Sequence, residues 1–381
     1  IGLVDNTVIV TTTQSTGRYL SINIGGSSGS RVYHQSMGFP FDAIANAPDN
    51  NTKLLFTRVT PTPMSGPYTV GGMSPSYHTP SQAAMALNIH GVSGPVTFSL
   101  RDGVYDDIFH LINVAGTSSV NTITIIGELI TATLSPRNGI HTASAPTATS
   151  GDHIVRLDGT QFCTISNISV IDNELNTTTA TKYEAGIGLY NSFIGTSTIQ
   201  YAGARFNMID NVIIDMKVTT GAFNSGSTGI RIGTVGSSVT DTLYANSYNT
   251  MRNFTIKNIF SAGVKMYGHS GPNPDRSNKV TTSGVNRNAI YNTVTVASNA
   301  RDIRVFEINA ARDLVVENTD IYDIINNSTA ITTQRIIGFW GNPSAGADLL
   351  SGSITLRNNK IYNLELVGGP STTTAGVYGL S

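Results

Sequence analysis

Between residues 251 and 271 the chain reads MRNFTIKNIFSAGVKMYGHSG, with apolar side chains at Phe254, Ile256, Ile259, Val264 and Met266 separated by small or polar ones. Alternation over four to six residues, bounded by Asn, Gly, Ser and Thr, predicts short strands with one face buried. The pattern recurs. An Asn followed three residues later by Ile or Val stands at Asn167, Asn211, Asn253, Asn318 and Asn358, with successive spacings of 44, 42, 65 and 40 residues. The longest gap holds NAIYNTVTV at 288–296, a further copy of undetermined register. Each copy is followed by a second short strand: GIGL at 186, GIRI at 229, GVKM at 263 and GVY at 376, with RVFEI at 304 and RIIGFW at 335 in the same slot.

A strand pair of this length cannot bury its face alone. Stacked in parallel, successive copies join their buried faces into one core, so a period near forty predicts a β-solenoid. Coils about 4.8 Å apart make six or seven copies a rod on the order of 30 Å long. The recurring Asn suits a sharp corner, because it tolerates the left-handed conformation and its side-chain amide can bond the next coil. Asn167, Asn211, Asn253, Asn318 and Asn358 are therefore read as structural corner ladders.

Upstream, YHTPSQAAMALNIHG carries helix boundary signals: Thr79 as N-cap, Pro80 at the first helical position, Gln82 closing a capping box and Gly91 as the left-handed stop. A helix over about 80–90 is predicted, with an Ala83, Ala84 and Leu87 stripe to lie over the open end of the solenoid. Residues 67–381 then form one all-β domain, a parallel β-helix. Residues 1–60 are β-rich without the repeat and are read as a separate module or the end of a preceding domain, with 61–66 as linker. The chain stops at AGVYGLS inside a second strand, so that end reads as uncapped.

Composition narrows the partners. Only 12% of residues are charged, against a usual ~25%, and Thr, Ser and Asn take their place on the surface. The formal charge is -1 and no Lys/Arg run could neutralise a row of phosphates, which argues against nucleic acid. No run approaches the roughly 18 apolar residues of a membrane span. The single Cys163, in TQFCTISNISV, reads as a buried strand residue. The chain begins at Ile1, as expected of an exported protein whose leader is removed.

The run YTVGGMSPSYHTPSQAAMALNIHGVSGPVTFSLRDGVYDD, followed by NTITIIGE, IVRLDGTQFCTISNISV and the later coils, resembles secreted, surface-associated proteins common in the Bacteroidota and their relatives. These are right-handed parallel β-helices of pectin-lyase-like fold. The resemblance covers about residues 67–381 and implies export by the type IX route, to an extracellular or cell-surface location. The C-terminal sorting domain of that family is not in this sequence, so a processed or trimmed chain is expected.

Many proteins of this fold cut acidic polysaccharides, so the residues must decide. Polygalacturonases carry Asn-Thr-Asp, a paired Asp, Gly-His-Gly and Arg-Ile-Lys in that order. Here Asn318 to Asp320 supply the first, but His269 and Arg231 precede it and no paired Asp follows. Asp102, Asp106 and Asp107 read as a solvated turn. Asp313, Asp320 and Asp323 with Arg301, Arg304 and Arg312 are the best candidate for lyase chemistry, and Arg–Asp pairing alone accounts for them. Tyr291, Tyr322 and Tyr362 share one slot and form a candidate outward sugar-binding ladder, with Trp340 a further candidate. No cofactor or metal motif is read. The expectation from sequence is a non-enzymatic structural or adhesive protein that self-assembles through its rod ends or contacts a surface glycan. A polysaccharide-binding or polysaccharide-degrading enzyme, lyase or glycoside hydrolase, is the alternative.

Overall fold

A computed structural model describes residues 62–137, 152–176, 182–194, 200–217, 227–233, 241–259, 261–268, 274–292, 302–309, 311–326, 335–341, 353–366 and 376–380, with strand backbone at 8–9, 19–23, 31–35 and 53–54. The chain divides into two compact units, Ile1–Thr62 and Pro63–Ser381. In the first, Val8–Ile9 pairs antiparallel with Lys53–Leu54, and Tyr19–Asn23 with Arg31–Gln35. The second opens with the strand Met64–Val70, which takes in the end of the segment read as a linker and pairs with Val92–Leu100.

Two long parallel sheets build the second unit, and from Val92 onward the coils give a strand to both. The first sheet runs from Met64–Val70 through Val92–Leu100, Ile123–Gly127, Cys163–Ile171, Met208–Asp215, Thr250–Arg252, Lys279–Thr281 and Leu314–Glu317 to Ile354–Arg357. The second stacks Phe109–Ile112, His153–Asp158, Ala185–Tyr190, Thr228–Gly233, Ala262–Tyr267, Ile303–Asn309, Arg335–Gly341 and Gly376–Leu380. This is the arrangement of a parallel β-helix. The long gap between Asn253 and Asn318 holds two coils, because Met251 pairs with Val280 and Val280 with Val316.

Inward positions repeat from coil to coil. Ile165, Ile209 and Met251 face the core from the first sheet, and Leu157, Leu189, Ile232 and Met266 from the second, all buried. Each such side chain contributes about 1.5–3 kcal/mol on burial, but only when the coils on both sides are in place.

Asn167, Asn211, Asn253, Asn318 and Asn358 all adopt left-handed φ between 50° and 55°. Asn211 Nδ2 donates to Asn167 Oδ1 at 2.9 Å and Asn358 Nδ2 to Asn318 Oδ1 at 2.5 Å, whereas Asn253 turns to Asp210 and Ser283. A second, buried ladder runs one corner earlier: Asn207, Asn249 and Asn278 each accept a backbone N–H through the side-chain oxygen and donate the amide to a carbonyl. These bonds satisfy main-chain groups that the corner removes from the sheets.

The helix Pro80–His90 forms where its boundary signals lie. Thr79 Oγ1 accepts from Gln82 N, Gln82 Oε1 accepts from His78 N, and Gly91, at φ 64°, donates to Leu87 O. Ala83, Ala84 and Leu87 join the core. Among the described residues no helix is long and apolar enough to cross a membrane.

Candidate functional site

The polar chemistry gathers on the outer face of the second sheet. Ile187 and Leu189 lie in the core, so alternation turns Gly188 outward, where a methyl group placed on it would meet His153 at 2.4 Å and Tyr190 at 2.6 Å. The outer face therefore carries Gly188 and every residue in register with it. Strand pairing aligns His110, Arg156, Gly188, Arg231, Lys265, Glu307 and Trp340 in one row, one residue per coil. A second row, two residues along each strand, aligns Asp158, Tyr190, Gly233, Tyr267 and Asn309. Rows of parallel strands lie about 4.8 Å apart, so neighbours along a row touch.

At one end, Asp158 accepts from His110 Nε2 at 2.9 Å and Arg156 Nε at 2.7 Å. Burial works to raise the Asp158 pKa, but His110 and Arg156 prevail and hold the carboxyl below its ordinary value. Tyr190 is fully buried, bonded to His153 Nε2 at 2.6 Å and overlaid by the Arg156 guanidinium. Its hydroxyl is pushed up to about 12, chiefly by burial, against the pull of Arg231 and Arg156.

At the other end, Lys265 Nζ lies 2.9 Å from Glu307 Oε2. Arg304 reaches Asp302 at 3.0 Å with one nitrogen and Glu307 at 3.5 Å with the other, and stacks its guanidinium 3.9 Å from the Trp340 ring centroid. Arg335 grips Asp302 with two nitrogens, at 3.2 and 2.6 Å. Burial draws the Lys265 pKa down; Glu307 opposes this, and Arg231 and Arg304 add to it. Asp302 is driven up by burial but held low on balance by Arg335 and Arg304. Arg231 and Glu307 are only 6% and 5% exposed. The result is a face of closely coupled charges around an amine whose pKa burial draws below its ordinary value.

The residues singled out from sequence are placed otherwise. Tyr291, Tyr322 and Tyr362 stack with centroids 5.1 and 5.3 Å apart, on the first sheet. Their faces cover one another, which leaves the outer faces of the end rings to any sugar. Trp340 belongs to the charged face. The group Asp313, Asp320, Asp323, Arg304 and Arg312 is not brought together: Asp320 pairs with Arg287 at 2.7 Å, Asp323 accepts from Asn363, Asp313 accepts from Ser353 N, and Arg304 lies on the other sheet. Arg301 and His269 lie outside the described residues. Asp107 accepts from Ser81 N at the start of the helix, Asp106 is paired with Arg137, and Asp102 is exposed. Cys163 is buried, and burial raises its thiol pKa. Among the described residues no group of three or more His, Cys, Asp or Glu could hold a metal ion.

A scan of protein-family models and a search of curated proteins each return no match to the sequence. Solved structures do match. The GH136 lacto-N-biosidase from Eubacterium ramulus is similar at 10% identity and a TM-score of 0.38 over 78% of this chain and 68% of that one. The pectin methylesterase from Aspergillus niger shows 14% identity and a TM-score of 0.37 over 83% and 90%, and the alginate lyase from a Paenibacillus species 12% and 0.34 over 81% and 99%. The matches are to enzymes and do not bear out the expectation of a non-enzymatic structural or adhesive rod. Its physical ground was a bland, uncharged surface, and the outer face of the second sheet is instead a dense set of ion pairs.

Proposed function

We propose that the chain is a polysaccharide-degrading enzyme acting from the outer face of the second sheet, on a polymer that carries uronate carboxylates. The observation that carries this is Lys265, set in register between Arg231 and Glu307 with Arg304 beside it. Elimination from a uronate needs cations to neutralise the carboxylate as charge develops, and a base for the adjacent C5 proton. Arg231 and Arg304 can supply the first and Lys265 the second. The C5–H bond breaks, the electron pair forms the C4–C5 double bond, and the C4–O bond breaks. The ammonium of Lys265 then returns its proton to the departing oxygen. Burial, Arg231 and Arg304 draw the Lys265 pKa down, in the direction of the neutral amine that the first step requires, and Glu307 opposes them.

Hydrolysis is the weaker reading on the same residues. Asp302 and Glu307 share one guanidinium, which brings together two carboxyls of the kind that paired glycosidase residues need. One member must carry a proton, however, and Asp302 is held ionised by two arginines while Glu307 is bound by Lys265 and Arg304. Export to the cell surface by the type IX route, a right-handed coil, the helix over its open end and a separate module over 1–60 belong to the same proposal. So does sugar contact at Trp340 and at the end rings of the Tyr291, Tyr322 and Tyr362 stack.

Incubation of the full chain with polygalacturonate, alginate and a neutral glucan tests this. Ultraviolet absorbance from the conjugated double bond is expected with a uronate polymer alone, and Lys265→Met should lower the rate by about 10²–10⁴-fold. New reducing ends without that absorbance would overturn elimination in favour of hydrolysis. No cleavage of any acidic polymer would sink the reading.

A further inference from the structure

A second charged feature lies on a short third ladder, between the end of the second sheet and the first-sheet corner. Backbone N–H groups of Phe162, Phe206, Tyr248 and Ser277 donate to the carbonyls of Arg205, Ser247, Arg276 and Arg312 in the next coil. The residues Gln161, Arg205, Ser247, Arg276 and Arg312 therefore stack in one column, with Gln161 bridged to Arg205 and Arg276 to Arg312. Inward neighbours on this segment, Ala204, Asn246 and Asp275, are buried, so the column points outward.

Beside it, Phe162, Phe206 and Tyr248 stack with centroids 4.9 and 5.0 Å apart, and Arg205 leans over the Phe206 and Tyr248 rings at 5.1 and 5.5 Å. Arginines in a fold are commonly balanced by carboxylates, as on the second sheet. Among the described residues no carboxylate stands at salt-bridge distance from Arg205 or Arg276. Each also keeps a buried Nε without a hydrogen-bond partner. Burial lowers the Arg205 pKa and Arg276 adds to that, while Tyr248 and the exposed Asp241 oppose it. Folding alone gives no reason to hold like charges in line, because their repulsion costs stability.

We propose that this arginine column is a second binding surface, which holds an acidic polysaccharide by its carboxylates apart from the site of cleavage. Arg205 and Arg276 lie two coil levels apart, about 10 Å, with Ser247 between them and Arg312 one level beyond, so the column offers repeated charge-assisted contacts to an extended polymer whose carboxylates recur once per sugar. Substrate gripped here stays near the second sheet after each cut, which raises its effective concentration there. A folded protein would need apolar contact area, and the faces of the aromatic rings are taken by one another and by Arg205.

The test is retention of the full chain in gels containing polygalacturonate, with a neutral glucan and single-stranded DNA as comparisons. Arg205→Gln with Arg276→Gln should weaken polygalacturonate binding about tenfold and flatten its salt dependence, while cleavage of short uronate oligomers stays unchanged. Arg205→Lys with Arg276→Lys should keep most of the affinity, and circular dichroism with the unfolding midpoint confirms that each variant folds; Arg276→Gln alone serves if the double does not. Unchanged affinity in the Gln variant would overturn the proposal. So would binding lost in Lys265→Met instead, or equal retention by DNA. Uronate binding without any cleavage would remove the enzymatic reading and leave this one standing.

Discussion

Asp275 allows a sharp test of how the coils hold together. It occupies the inward ladder above Asn246: Asn246 Oδ1 accepts from Ala204 N at 2.9 Å, and Asp275 Oδ1 accepts from Asn246 N at 2.8 Å. Its other oxygen has no hydrogen-bond partner, and the residue is 1% exposed. Burial raises its pKa from 3.8 to about 7 against the opposing Asn246 bonds. No neighbouring charge enters. In the unfolded chain the carboxyl releases its proton near pH 4, whereas in the fold it keeps it to about pH 7. The native state therefore binds more protons between those values, and stability falls as pH rises through that window and levels off above it.

At about 1.36 kcal/mol per unit, the full shift amounts to about 4 kcal/mol at pH 8, an upper figure because relaxation and water entry soften it. Asp275→Asn keeps the shape and removes the titration. The variant should match the parent near pH 4 and exceed it by about 2–4 kcal/mol at pH 8. Denaturant midpoints across pH 4 to 8 measure this. Because a solenoid opens locally, amide exchange at Asn246 and Asp275 should report the same trend. An Asn variant whose stability falls with pH as steeply as the parent's would refute the argument.

Further perturbations separate packing, ladders and charges. Gly233→Ala places a methyl 2.6 Å from the Tyr190 ring and should cost about 1–3 kcal/mol in unfolding free energy, whereas Gly341→Ala meets nothing within 4 Å and should be neutral. Asn249→Ala strips partners from the N–H and amide of Asn207 and from Ala204 O, all buried, and should cost about 3 kcal/mol or more in the same assay. Asp158→Asn should remove about 1–3 kcal/mol at neutral pH. Because the Asp158 pKa is depressed in the fold, that difference should vanish as pH falls below the ordinary carboxylate value, read from acid unfolding curves. Lys265→Met with Glu307→Leu should leave stability unchanged or raise it by about 1–4 kcal/mol while cleavage is lost, checked by midpoint and rate together.

The repeat was legible because burial forces it. Ile and Leu recur where strands face the core, and Asn recurs where a left-handed corner needs it, so spacing alone exposes both. The buried ladder of Asn207, Asn249 and Asn278 was missed, although each sits four residues before a corner Asn or near its slot, because Asn is common throughout this chain. The site was missed for a different reason. Its signal lay in the second-strand motifs, where GIGL, GIRI, GVKM and VFEI carry Gly188, Arg231, Lys265 and Glu307 at one shared position. Charge proximity along the chain pointed instead to Asp313, Asp320 and Asp323, which alternation distributes among unrelated partners.

That shared position explains why chemistry settles on this face. Each coil must satisfy its neighbours in the core and at the corners, so those columns are held to a few residue types. The outward column of the second sheet is under no such demand, and a Thr or Ser there would fold as well. It holds Arg231 and Glu307 almost out of solvent, a placement in which desolvation offsets much of the pairing energy and an apolar pair would serve stability better. Charges kept where folding gains little from them, aligned on successive coils at Arg231, Lys265 and Glu307 and coupled to an amine of lowered pKa, are the observations on which the proposed site for a charged linear polymer rests.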